Sequence, residues 1–340
     1  MQSIRSVVPG LALLVLTLLA LAPLVLLAQQ QKAPAGYDLS ARATVIYNTQ
    51  LYVDPDENSQ KITIVTPGHE IVLTEENGQW LRVFANTDRQ QVTDDTPVFG
   101  ADNAPQPVSG WIRAKGVVSP KTPKGDVILY GAAASLEEQA TEPNPPKGAA
   151  QSAHLLYQSV ATYFPQSPLA AEAQWRSADI VWQLQRADIA TLPSAHAEQS
   201  YLRPQIDEGA MKKIIKLYPG SKWAAYAAYD LLDNKTCGAW LGLPKCPEME
   251  ADLYLKYANN YPEGPLTAKA LYQAVYREGV LVDMYKAIQE QKKADDASAS
   301  AQLIARQLET NFPKSDYAAR AATLIYKLQQ AIPIYGSDHY

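Results

Sequence analysis

Two hydrophobic rhythms divide the chain. Between about residues 41 and 118, apolar and polar positions alternate through ATVIYNTQLYV, KITIVTPGHEIVLTE, QWLRVFA and GWIRAKGVV, with turns at DPDENS, PG and ENGQ. These segments are rich in β-branched and aromatic residues, and five short strands of this kind predict a small β-barrel. The proline-bearing stretch VSPKTPKGD follows, read as a hinge at 119–125. From 126 to about 332 the apolar residues recur with a helical period. Asp126 is placed to cap a first helix, DVILYGAAASLEEQA, which EPNPPKG ends. Eight further helices are predicted at about 148–163, 168–187, 205–217, 221–233, 248–260, 265–289, 297–311 and 315–330. ATLPSAHAEQSYLRPQ is read as an extra loop and ADDASASA as a polar turn. The fold class is therefore multi-domain, a small all-β barrel followed by an all-α repeat domain.

The helical half repeats one phrase four times: YFPQSPLAAEA, LYPGSKWAAYA, NYPEGPLTAKA and NFPKSDYAARA. In each, an aromatic residue (Phe164, Tyr218, Tyr261, Phe312) precedes a proline (Pro165, Pro219, Pro262, Pro313). The proline has no N–H to donate and biases the residue before it away from the α region, so one helix must stop there. Two residues later Ser167, Ser221, Gly264 or Ser315 starts the next helix. A serine hydroxyl at this place can accept from an orphan backbone N–H. Four residues after the proline stands a large apolar side chain, and alanines occupy the sixth and eighth positions in every copy, where small side chains let helix backbones approach. The copies lie 54, 43 and 51 residues apart.

This joint resembles the degenerate tetratricopeptide repeats of bacterial envelope proteins, over about 126–332, with spacings longer than the usual repeat of about 34 residues. The resemblance implies a right-handed helical solenoid with a concave, partner-binding face. The β segment resembles the bacterial Src-homology-3-like domain of exported cell-wall proteins. The matching pieces are Leu51-Tyr52-Val53 with Pro55, Pro67-Gly68 before Glu70-Ile71-Val72, Gly78 with Trp80 and Val83, and Gly110-Trp111-Ile112. Domains of that family can bind peptidoglycan stem peptides or other peptides. The resemblance makes Tyr52, Trp80 and Trp111 candidates for a shallow aromatic groove, with barrel core as the other reading of the two tryptophans. In the repeat domain, Tyr226, Tyr229, Tyr257, Tyr272 and Tyr276 are the candidate binding face.

Charge and targeting narrow the function. The 340 residues carry a formal net charge of −5, and the lysine groups near 212–216 and 292–293 fit solvated helix faces, so a nucleic-acid partner is excluded. Arg5 precedes an uncharged apolar run from Val7 to Ala28, read as an export signal that is either cleaved near Ala28 or kept as a single anchor. If it is kept, this segment is the expected contact with the membrane. Cys237 and Cys246, nine residues apart in a Gly/Pro-bearing loop, read as a disulfide in an oxidising compartment, with a redox pair as the alternative. His69, His154, His196 and His339 have no metal-ligand spacing. Asp54, Asp56, Glu57 and Asn58 lack the glycine and the closing acidic residue of a calcium loop.

The sequence offers no nucleophile elbow, phosphate-cradling loop or Cys-His arrangement, and pairs such as Glu137 with Glu138 read as solvated. No metal or cofactor is expected. The reading that follows is an exported, non-catalytic adaptor or scaffold for protein or peptide partners in the periplasm or cell envelope. An accessory peptidoglycan-binding subunit of a cell-wall-remodelling enzyme is the alternative, and a purely structural envelope protein comes third.

Overall fold

The structure is a computed structural model and describes residues 38–88 and 107–335. The apolar run 7–28, His339 and most of the long insertion before Gly110 lie outside the described residues.

The four alternating segments form seven strands rather than five. These are β1 (Arg42–Val45), β2 (Thr49–Tyr52), β3 (Lys61–Val65), β4 (Glu70–Asn77), β5 (Trp80–Ala85), β6 (Val108–Arg113) and β7 (Val117–Val118). The count rises because turns cut two of the apparent strands: one at Ile46–Asn48 separates β1 from β2, and another at Ala114–Gly116 separates β6 from β7. Together they make one curled antiparallel sheet, a half-barrel in the order β3-β2-β6-β5-β4-β1-β7. Its concave side is filled by Ala43, Val45, Leu51, Val65, Ile71, Val83, Ala85 and Ile112, the inward positions of the alternation.

Nine helices follow among the described residues. They are α1 (Gly125–Ala140), α2 (Ala149–Tyr163), α3 (Ala170–Ala190), α4 (Gly209–Leu217), α5 (Lys222–Asp230), α6 (Lys245–Asn260), α7 (Thr267–Ala287), α8 (Gln291–Asn311) and α9 (Asp316–Gln329). The four proline phrases are four equivalent joints. Phe164, Tyr218, Tyr261 and Phe312 each leave the helix with ψ between 52° and 64° while their N–H still bonds the carbonyl four residues back. Each aromatic carbonyl then accepts from the N–H of Ser167, Ser221, Gly264 or Ser315 at 2.9–3.1 Å. The hydroxyls of Ser221 and Ser315 accept from Ala224 N and Tyr317 N at the start of the next helix.

Of the two alanine positions, the eighth is the contact in every copy. Ala173, Ala227, Ala270 and Ala321 are all buried, whereas at the sixth only Ala225 is, and Ala319 is exposed. Ala270→Leu is therefore expected to destabilise the chain by about 1–3 kcal/mol and Ala319→Leu by less than about 0.5 kcal/mol. Thermal or urea unfolding of the two variants checks this, and equal effects would refute the assignment.

Three expectations need correction. ADDASASA is not a turn: α8 begins six residues earlier than expected, and Ala294, Ala297 and Ala301 are its buried face. Small residues at helical spacing had been masked by the intervening aspartates and serines. Asp126 does not cap α1 but sits in its first turn, accepting the Ser167 hydroxyl at 2.6 Å. The stretch 119–125 is a tight turn, with Thr122 N bonded to Ser119 O and Gly125 N to Thr122 O. Around it the sheet and the helices share a core. Val118 packs with Leu129, Leu156, Val160 and Tyr163, alongside Leu39 and Ile46. The buried Tyr163 hydroxyl donates to Ala43 O at 3.1 Å. Gly68, at φ 90°, lies so close to α2 that a Cβ there would stand 2.6 Å from Leu155 Cβ.

Candidate functional site

In the sheet, the three candidate aromatics lie on the convex side. Tyr52 on β2 is opposite Trp111 on β6, and Trp80 on β5 is opposite Arg113. Tyr52 meets Trp80 edge-on at a centroid distance of 5.5 Å, while the Arg113 guanidinium covers Trp80 at 4.4 Å. That guanidinium is itself fixed by Glu57 at 2.7 Å and Gln79 at 3.1 Å. Trp80 is consequently buried on a nominally outward position and offers no free ring face, whereas Tyr52 and Trp111 are half-exposed. The acidic turn is used internally: Glu57 binds Arg113, and Asp56 accepts from Asn58 N.

In the helical half, the five candidate tyrosines separate. Tyr257 and Tyr276 are buried in the core of the last repeats and leave the candidate face; the Tyr257 hydroxyl donates to Ala225 O and ties α6 to α5. A helical period cannot tell which side of a helix its neighbours cover, and these two rings lie on the covered side. Tyr226, Tyr229 and Tyr272 are half-exposed. Tyr226 belongs to a stack whose other members are Trp175 and Trp223, with centroids 4.7 Å (Trp175–Tyr226), 5.2 Å (Trp175–Trp223) and 6.0 Å (Trp223–Tyr226) apart. Trp175 stands ten residues after its proline and Trp223 four after the next. The same relation recurs in Tyr272 against Tyr317 at 5.7 Å. The joint phrase thus writes an aromatic stripe along the second helices of successive hairpins.

Beside the stack lies a group of carboxylates that the sequence reading passed over. Asp179 follows Trp175 by one turn of α3, and Asp230 follows Tyr226 by one turn of α5. Burial, and then the neighbouring Asp179 and Asp233, raise Asp230 to about 8. Burial likewise raises Asp179 to about 6. Asp230 Oδ2 and the indole N–H of Trp175 are buried near one another without a well-formed hydrogen bond. Asp233 accepts from Trp182 Nε1 at 3.4 Å and meets Arg186 at 3.3 Å. The legible signal was an aspartate four residues after an aromatic on two successive second helices.

No protein-family model matches the chain, and no curated protein matches it. What the molecule can do must therefore be read from its geometry.

The loop between α5 and α6 is closed by the disulfide between Cys237 and Cys246, whose Cα atoms are 6.0 Å apart. Behind it Glu250, 1% exposed, takes both Arg277 Nε and Arg277 Nη2 at 2.9 Å on Oε2. Its Oε1 accepts from Cys237 N at 2.8 Å and Trp240 Nε1 at 3.2 Å. Neither residue was singled out from the sequence, because a Glu and an Arg on different helices carry no local mark of pairing. Glu137, read as solvated, accepts from the Tyr157 hydroxyl at 2.6 Å and from Arg176 at 2.8 Å.

One pair has the composition of a nucleophile and base: Ser177 Oγ lies 2.8 Å from His154 Nδ1. The same nitrogen lies 2.8 Å from Ser177 O, both residues are held between α2 and α3, and burial pushes the imidazole down. A ring nitrogen donating to that carbonyl cannot also accept the hydroxyl proton, so the contact ties two helices together. Among the described residues no group of three or more His, Cys, Asp or Glu side chains is placed to hold a metal ion, and no helix is long and apolar enough to cross a membrane.

Proposed function

We propose that the chain is an exported adaptor without catalytic activity: a Src-homology-3-like β unit on tetratricopeptide-like repeats that binds protein or peptide partners in the cell envelope. The observation that carries this reading is the half-exposed stack of Trp175, Trp223 and Tyr226 beside Asp179 and Asp230. Rigid aromatics bury a large area with little loss of side-chain freedom, and they dominate binding hot spots. Of the two aspartates beside them, Asp179 ionises near 6 while Asp230 holds its proton to about 8, so at neutral pH it is the Asp179 carboxylate that suits a partner segment bearing Lys or Arg; Lys222 Nζ already lies 4.2 Å over the Trp223 ring.

The test is crosslinked co-purification from the envelope fraction with Trp223→Ala, Tyr226→Ala and Tyr272→Ala variants. Each should weaken partner recovery by about 1–3 kcal/mol equivalent while the melting temperature changes little. Variants that lose stability but retain the partner would remove the stripe from the binding surface.

A second reading, an accessory peptidoglycan-binding subunit of a cell-wall-remodelling enzyme, draws on Tyr52 and Trp111, half-exposed beside Arg113 on the convex side of the sheet. Pull-down with purified peptidoglycan separates the two: retention lost in Tyr52→Ala and Trp111→Ala, but not in the helical variants, favours the second.

A further inference from the structure

Two insertions between repeats, the α3–α4 and α5–α6 connections, meet one another and present apolar side chains to solvent. In the α5–α6 loop, Trp240 to Leu243 form a tight turn closed by Leu243 N to Trp240 O at 3.0 Å, with φ of 45° at Leu241 and 76° at Gly242. Such turns favour Asn, Asp or Gly at the first central position, and a leucine there is strained. That leucine is also 71% exposed, and Leu243 is 53% exposed. The fold thus carries a backbone strain at Leu241 and leaves more than half of both leucine side chains in solvent. A strained, outward-aimed apolar tip is an observation from which function is inferred.

The tip is firmly backed. The disulfide joins the ends of the loop, and the Trp240 indole is bonded to the buried Glu250. Gly238 N and Ala239 N bond the carbonyls of Ala197 and His196, which laces the loop to the α3–α4 insertion. That second insertion shows Tyr201 and Leu202 at 75% and 58% exposure. Lys235 and Lys245 are exposed at the two ends of the first loop.

We infer that these two laced loops form a membrane-interface contact, with Leu241, Leu243 and Leu202 entering the headgroup–acyl boundary, Tyr201 at its rim, and Lys235 and Lys245 against anionic headgroups. The occupant is argued from shape and charge. A tight turn with outward leucines is convex and offers a partner protein no groove, whereas a bilayer accepts a protruding apolar tip. Both loop ends carry a positive side chain in a chain of net charge −5; the acidic groups around them are Glu208, whose carboxyl Lys235 helps to lower, Glu198 on the second insertion, and Glu248, three residues beyond Lys245 in α6. This inference is independent of the aromatic stripe.

The test is hydrogen exchange of the full chain with vesicles of phosphatidylcholine alone and of phosphatidylcholine with phosphatidylglycerol. Exchange in 238–243 and 200–202 should slow by about tenfold on the mixed vesicles and less on the neutral ones. In L241S/L243S that slowing should vanish, while any binding through the apolar run 7–28 persists. Unchanged exchange in these segments on vesicle-bound chain, no vesicle binding at all, or slowing that survives in the variant overturns the proposal. Leu241→Asn suits the positive φ, so it should raise the melting temperature while reducing the slowing. A lower melting temperature would mean that Leu241 serves the fold and would equally overturn it.

Discussion

Glu250→Ala should cost about 3–5 kcal/mol, the largest effect expected of any single substitution in the helical domain. The change removes a carboxylate from the Arg277 guanidinium and takes the acceptor from Cys237 N–H and the Trp240 indole at once. Arg277 is 6% exposed and lies among aromatic faces, 4.6 Å over Tyr254 and 5.4 Å over Trp240, so water cannot readily replace the lost partner. Because the α5–α6 loop hangs on Glu250, the variant should also show faster hydrogen exchange between Thr236 and Lys245 with its disulfide intact. The double variant Glu250→Met, Arg277→Met should recover part of the loss, since two well-packed apolar side chains avoid the desolvation that the ion pair offsets. Urea unfolding of the three proteins measures this. A single-variant loss under about 1 kcal/mol would mean that the pair contributes little beyond its own burial.

The second large effect depends on pH. Asp230→Asn should stabilise the chain at pH 8 by on the order of 4 kcal/mol and have almost no effect near pH 4. In the unfolded chain an aspartate ionises near 3.8, whereas Asp230 in the fold holds its proton to about 8. Between those values the native state binds more protons than the unfolded one. The stabilisation is complete below about 4 and is lost as pH rises through 8. The groups responsible face one another across α3 and α5: Asp179, itself raised to about 6, and Asp233 oppose ionisation of Asp230, while Arg186 favours it. Asparagine removes the proton requirement and keeps the shape. Thermal melts of both proteins from pH 4 to pH 9 check the claim. Parallel curves across that range would contradict it.

Much of this architecture was legible because its signals are local. Among the described residues, eight of the nine helices and the four joints that pair them follow from a proline that stops one helix, a serine or glycine that starts the next and alanines at fixed positions, each acting within a turn or two of chain. The disulfide was also legible, since nine residues of loop bring Cys237 and Cys246 together with little help from the rest of the fold. Alternation marked the strands, but their number depended on turns whose sequences do not differ visibly from strand.

Tertiary structure alone decided which side of each element is covered. Tyr257 and Tyr226 are both tyrosines within a helical apolar period, yet one is enclosed by α5 and α7 and the other stands beside Trp175, because burial depends on neighbours distant in sequence. The same holds for Trp80, hidden beneath Arg113, for the core that joins Val118 and Ile46 to α1 and α2 where the sequence suggested a hinge, and for Glu250 and Arg277. Charges that would be solvated on isolated helices are forced into partnership only when packing removes the water. The sequence by itself determined the elements and their punctuation, whose energetics are local; the candidate sites arise from contacts between elements, which only the assembled fold creates.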